Sequence, residues 1–287
     1  MTEILSVLSF ATPVAIAATG ETLNQKAGTI NFGIEGSMLM GAYFGMLASL
    51  DSGSPWLGML AGTAAGLALA MAFGWFTIKL DADQVVTGTA LNLLALGLTG
   101  TLFQARFGKS GQLLSAPTLP NWNGLNVVML LTLILPILVW WILKFSRWGL
   151  AIRAVGEKPE AAEASGFRVS RLRLGALAIA GLLAGLAGAY LSLGIAGSFA
   201  QNMTNGRGFV AIAMVTFGRW KPVYVLGASL MLGYADSLQY TLQAKGIAIP
   251  HQLLVAAPYV LALAILVVAG RGTLAPTALG IPYNNKR

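Results

Sequence analysis

Few residues in this chain could do chemistry, and their types exclude most of it. One histidine is present, His251 beside Pro250, and no cysteine. Thiol catalysis, thiolate metal sites and disulfides are therefore excluded, and a lone loop imidazole makes no metal site. No GxSxG or HExxH constellation occurs. The nearest approach to a P-loop is Gly108-Lys109-Ser110, where the motif needs glycine at 103 and Phe103 stands instead. The chain is thus expected to carry no catalytic group, no cofactor, no metal and no ATP site of its own.

The charges are few and clustered. Of 18 basic and 10 acidic residues, ten lie between Lys144 and Arg173. Seven are basic (Lys144, Arg147, Arg153, Lys158, Arg168, Arg171, Arg173) and three are acidic (Glu157, Glu160, Glu163). Within this loop the stretch Lys158 to Gly166 reads as a short helix. Pro159 suits its first position, Glu160 and Glu163 suit the positive end of its dipole, and Gly166 suits a left-handed stop. Ala161, Ala162 and Ala164 give it a small, smooth face that another protein's groove could accept. The simpler alternative is a charged loop that only sets membrane orientation.

A second group of residues is polar and falls within long apolar stretches, where hydrocarbon penalises it. Asn92 lies deepest, with Gln84 one end of the same stretch away. Glu35 sits just inside another stretch, in Asn31 to Gly36. Asn202 and Asn205, with Gly206 and Gly208, precede a short apolar piece. These five side chains are candidate path-lining groups. For Asn92 the structural alternative is an interhelical hydrogen bond, for Glu35 a carboxylate at a helix N-terminus, and Asp236 reads as interfacial. No row of carboxylates of the kind an ion-coupled pump needs is present.

The elements that must position these residues follow from composition. The chain is 56% apolar and 10% charged, against about 25% charged in soluble domains, so a polytopic membrane protein is expected. The net charge of +8 sits in loops and sets orientation, with no nucleic-acid partner implied. Stretches long enough to span a bilayer fall near 4–20, 33–50, 56–78, 84–104, 126–144, 174–195, 223–240 and 252–270. The absence of a basic leader makes the first a retained helix. The piece 208–218 is too short to cross alone and suits a broken helix, the alternatives being a misjudged helix boundary or a piece that re-enters without crossing. Counting it as a crossing places fourteen of the 18 basic residues inside and four outside. The fold class is then an all-α integral membrane bundle of about nine crossings, N-terminus outside and C-terminus cytoplasmic. It forms a single transmembrane domain over 1–287, with a cytoplasmic loop at 146–173. Gly41/Gly45, Gly62/Gly66 and Gly181/Gly185 have the small-xxx-small spacing of close helix packing.

Five stretches together resemble a known family. They are Gly20 to Ala42, Val85 to Gly100, Gly149 to Gly166, Gly181 to Gly194 and Gly206 to Pro222. They are similar, in order and over most of the chain, to permease subunits of bacterial ABC importers in the branched-chain amino acid, simple sugar and nucleoside branch. The pattern is most similar to the shorter permease of nucleoside-type systems. The resemblance implies a bacterial inner-membrane subunit that forms the path for a nucleoside or simple sugar. It implies three kinds of protein partner besides lipid: cytoplasmic ABC ATPases, a second and longer permease, and an extracytoplasmic solute-binding protein. It also implies a coupling role for Arg153, Gly156, Glu157, Pro159, Glu160, Ala161, Ala162, Glu163 and Gly166. An ion-coupled secondary transporter acting without an ATPase is the alternative, and a membrane enzyme or scaffold is a third reading.

Overall fold

The computed structural model describes residues 2–108, 115–244, 260 and 275–283. Ten α-helices account for most of them: α1 (Thr2–Lys26), α2 (Ile34–Ser52), α3 (Pro55–Gly74), α4 (Gln84–Phe107), α5 (Val127–Phe145), α6 (Arg147–Glu157), α7 (Pro159–Ala164), α8 (Val169–Tyr190), α9 (Arg207–Phe217) and α10 (Pro222–Ala244). π-Helical turns extend α3 to Lys79 and α8 to Ala196. Among the described residues the only β pairing is an isolated bridge between Trp122 and Leu125. Among the described residues five helices are long and apolar enough to cross a membrane, and α9 is a shorter apolar helix. The expected span at 252–270 lies outside the described residues, apart from Val260, as does His251.

Local chemistry sets the helix ends. Proline opens α3 and α7, where a missing N–H costs nothing. Asp83, Asn126 and Ser146 cap α4, α5 and α6 by accepting the amides of Val86, Met129 and Gly149. Gly53 ends α2 in the left-handed region.

The centre of the bundle is α2, α3 and α8. The three glycine pairs singled out by spacing all meet there. A methyl at Gly62 would sit 2.5 Å from the Gly41 carbonyl, and one at Gly185 would sit 2.5 Å from the Gly62 carbonyl. Backbone-to-backbone packing replaces side-chain interdigitation, the arrangement favoured where lipid removes the hydrophobic drive between helices.

α1 lies between α8 and α10. It runs antiparallel to α10: Trp220, just before α10, donates to Gln25 near the end of α1, while Phe10 near its start stacks on Tyr240.

The position of α2 departs from a simple span. α4 gives the scale. At one end Gln84 accepts the Ile30 amide, and at the other Arg106 pairs with Asp51 at 2.5 Å. Asn92, eight residues along α4, meets Gly36 in the first turn of α2. At 1.5 Å per residue, α2 therefore begins about 12 Å in from the end of α4. The non-helical stretch 27–33 climbs from the end of α1 to that depth.

Candidate coupling and translocation site

Two places in the bundle hold the residues singled out by the sequence. The first is the depth at which α2 begins. Glu35 is 8% exposed, and its two oxygens accept the amides of Gly206 at 2.8 Å and Gly208 at 2.6 Å. These are the first free N–H groups of α9, so the carboxylate caps a second helix and faces that helix's positive dipole end. Glu35 stands in the first turn of its own helix, α2, as the dipole reading has it, and its oxygens also serve the start of α9. Gly208 permits the approach: a methyl there would lie 2.7 Å from the Glu35 backbone.

Asn92 is also engaged, through both ends of its amide. Its carbonyl oxygen accepts from Gly36 and its amide nitrogen donates to the Phe32 carbonyl, both at 2.8 Å. It is an interhelical bond that holds the start of α2. Gln84 is buried and holds Ile30. Asn202 and Asn205 are exposed and stand at positive φ, 58° and 43°, in the irregular descent before α9. Asparagine tolerates that region better than most residues, so their role here is in the turn. The five path candidates thus divide into three that fix the break at α2 and α9 and two that shape the entry to α9.

Sequence reasoning missed the polar cluster beneath this break. α1 runs on past residue 20, and Glu21, Asn24 and Gln25 are buried on its last turns. Glu21 accepts from the Asn31 amide at 3.0 Å, Gln25 at 3.1 Å and Asn24 at 3.2 Å. Gln25 in turn accepts the Trp220 indole N–H at 2.8 Å. The i, i+3, i+4 spacing of Glu21, Asn24 and Gln25 was the available signal.

The second place is the α6–α7 end. α6 was not expected as a helix of its own. Ile152 anchors it in a cluster with Leu23, Ala27, Val139, Leu143 and Ala176. α7 spans Pro159–Ala164 and ends at Gly166, whose φ is +89°. Its inward face is Ala162, buried against Val155 and Val169. Gly156 is buried too, packed on the Lys26 carbonyl. Arg153, Glu157, Glu160, Ala161 and Gly166 are exposed, while Pro159 and Glu163 are half-buried. Glu157, Glu160 and Ala161 line an open groove whose other wall is Thr277, Ile281 and Tyr283. The loop that reads as ten clustered charges is therefore partly core: Arg173 is 3% exposed, inside α8.

The family described as branched-chain amino acid transport system / permease component matches residues 3–280. The chain belongs to that family. It is a membrane-embedded ABC transporter permease subunit, a transport component rather than an enzyme. The permease is 34% identical to the guanosine ABC transporter permease protein NupQ of Bacillus subtilis, over 98% of this chain and 97% of the relative. It is 31% identical to the nucleoside ABC transporter permease protein NupC of Lactococcus lactis, over 98% and 96%. A putative glucose ABC transporter permease protein of Haloferax volcanii, TsgC13, is 36% identical over 83% of this chain and 77% of its own length. More distant matches from the first two organisms are a second guanosine permease protein, NupP, and a second nucleoside permease protein, NupB, each 25% identical.

Proposed function

We propose that this permease carries a nucleoside, that it forms one half of a path completed by a second, longer permease, and that α7 is the helix on which a cytoplasmic ATPase pushes. The nucleoside assignment is supported by the two relatives matched over nearly their whole length, both named for nucleosides. A simple sugar is the second reading, supported by the similarity to the putative glucose permease. The coupling assignment rests on one geometric observation: α7 packs inward through Ala162 and turns Glu160 and Ala161 outward beside an open groove.

In this reading the α6–α7 end faces the cytoplasm, with the N-terminus outside and nine crossings in all. The permease is a single domain over 1–287 in the bacterial inner membrane. A solute-binding protein delivers to the opposite end. α9 and the irregular stretch before it together make one crossing, because α9 alone is about 16 Å long against a core of about 30 Å. The break lies level with Glu35, and it is there that the path opens or closes.

Two measurements test this. A thermal-shift series of the cognate binding protein against guanosine, other nucleosides, glucose and pentoses identifies the solute class; stabilisation by sugars alone overturns the nucleoside assignment. Uptake into vesicles holding the full complex is expected to require ATP. Replacing Glu160 by lysine and Ala161 by tryptophan is expected to cut uptake per ATP by roughly tenfold. Unchanged coupling in those variants rules out α7 as the contact.

A further inference from the structure

Three segments far apart in sequence converge at the α6–α7 end: Gly156 packs directly on the Lys26 carbonyl, and the stretch 275–283 adds hydrogen bonds to both segments. Ala278 donates its N–H to the Gly156 carbonyl at 2.9 Å, and Gly280 donates to the Gly28 carbonyl at 3.0 Å. Thr277 donates both its amide, at 3.3 Å, and its hydroxyl, at 2.9 Å, to the Glu157 carboxylate. Tyr283 donates to Glu163 at 2.5 Å and packs on the cluster that buries Ala162. The stretch thus holds α7 on both sides, at the residue before its N-terminal linker and at its last turn. From α8, the buried guanidinium of Arg173 donates to the Ala27 carbonyl at 3.2 Å and to the Ile281 carbonyl at 3.0 Å. Gly28 has φ +92°, and a methyl there would lie 2.9 Å from an Arg173 nitrogen and 3.1 Å from the Ala278 carbonyl. Little slack remains at the junction.

A helix of six residues has no stability of its own. Pushed from outside, α7 would tilt at its elbow with α6 unless something tied it to the bundle. The stretch that ties it also ties residue 28, the root of the non-helical climb 27–33 that ends at Glu35, Asn92 and the start of α9. We infer that residues 275–283 form a clasp that delivers displacement of α7 to the α1–α2 turn and so to the break at α9, with Thr277, Tyr283 and Arg173 as positioning residues. The inference rests on the reading of α7 as the ATPase contact.

The test needs no knowledge of the solute. The chain has no cysteine, so Asn205→Cys, at an exposed position just before α9, gives a single site for a maleimide probe. In the complete transporter, trapping the ATPase with ATP and vanadate is expected to change the labelling rate. Tyr283→Phe with Thr277→Val is expected to shrink that change roughly three- to tenfold, with basal ATP hydrolysis and co-purification of the ATPase unaffected. Glu160→Lys serves as the control for the contact itself. If it leaves the change intact, the reading of α7 fails and the clasp falls with it. If Glu160→Lys abolishes the change while the clasp variants preserve it, the clasp alone is refuted. Loss of ATPase co-purification in the clasp variants would make the stretch a docking surface and overturn its positioning role. No change in the parent overturns the route to α9.

Discussion

At the scale of single residues, the polar groups at membrane depth act as fasteners. Asn92 uses both ends of its amide at the start of α2, on Gly36 and on Phe32 just before it. Asn92→Leu is therefore expected to reduce folded protein, because it strands the Gly36 amide and the Phe32 carbonyl away from water at a cost of several kcal/mol. Thermal unfolding of the detergent-purified complex checks this; an altered solute preference with normal melting would return Asn92 to the path. Glu35→Gln keeps the size but turns a donor toward an amide of α9, and is expected to cost about 1.5–3 kcal/mol. Gly208→Ala forces the new methyl against the Glu35 backbone, at about 1–3 kcal/mol. Both appear as lower melting temperatures, and the pair should be non-additive because the two residues touch. Tyr283 belongs to a different medium. The hydrogen bond to Glu163, with help from burial, pushes its hydroxyl up to about 12. A raised pKa means that the folded state favours the proton. The clasp's contribution is thus fully present below about 10, the unfolded value, and is lost as pH rises through about 12. Subtracting the tyrosinate absorbance titration of Tyr283→Phe from that of the parent isolates this step.

At the scale of elements, what matters is where helices stop. α2 and α9 both begin inside the bundle, and Glu35 joins their first turns. A helix end at that depth presents unpaired amides that hydrocarbon cannot satisfy. It persists because Glu35 and Asn92 satisfy several of them. Such an end is also a place where backbone can change direction with little loss, which suits a gate. α6 and α7 show the complementary device. α6 is rooted through Ile152, while α7 rests on one alanine, the Glu163 tie to Tyr283 and, just before it at the end of α6, the Glu157 tie to Thr277. Gly28→Ala brings strain at φ +92° and a close approach to Arg173. It is expected to lower stability and to weaken coupling together, whereas Glu160→Lys is expected to weaken coupling alone. Parallel melting and uptake-per-ATP measurements on the two variants separate those effects.

At the scale of the whole molecule, the bundle has a tight centre and apolar flanks. α2, α3 and α8 are joined through glycine, whereas α4 and α5 expose Leu93, Leu94, Ile134, Ile137 and Trp141. Those surfaces suit lipid or a second permease, and they fit a subunit that is not complete by itself. Vesicles holding this permease alone are accordingly expected to show no ion-gradient-driven uptake, and vesicles that also hold ATPase, paralogue and binding protein to show uptake driven by ATP. Hydrophobic length was enough to give seven of the helices to within about six residues at each end and a short apolar helix at 208–218, and capping chemistry the Pro159-to-Gly166 helix, while α6 was missed. These are local properties, written in periodicity and in capping chemistry. Partner choice is not local. Whether Glu35 also serves α9 and whether Arg173 is a loop charge or a buried hub each depend on a segment 100 or more residues away in the chain, and whether Ala162 faces out or in depends on how α7 folds back on α6 and α8. The sequence by itself determined a membrane bundle, its loop chemistry and its family resemblance, because lipid imposes length and polarity on each span separately. Only the tertiary structure decided which polar groups meet, because hydrogen bonds are settled by which backbones lie within 3 Å.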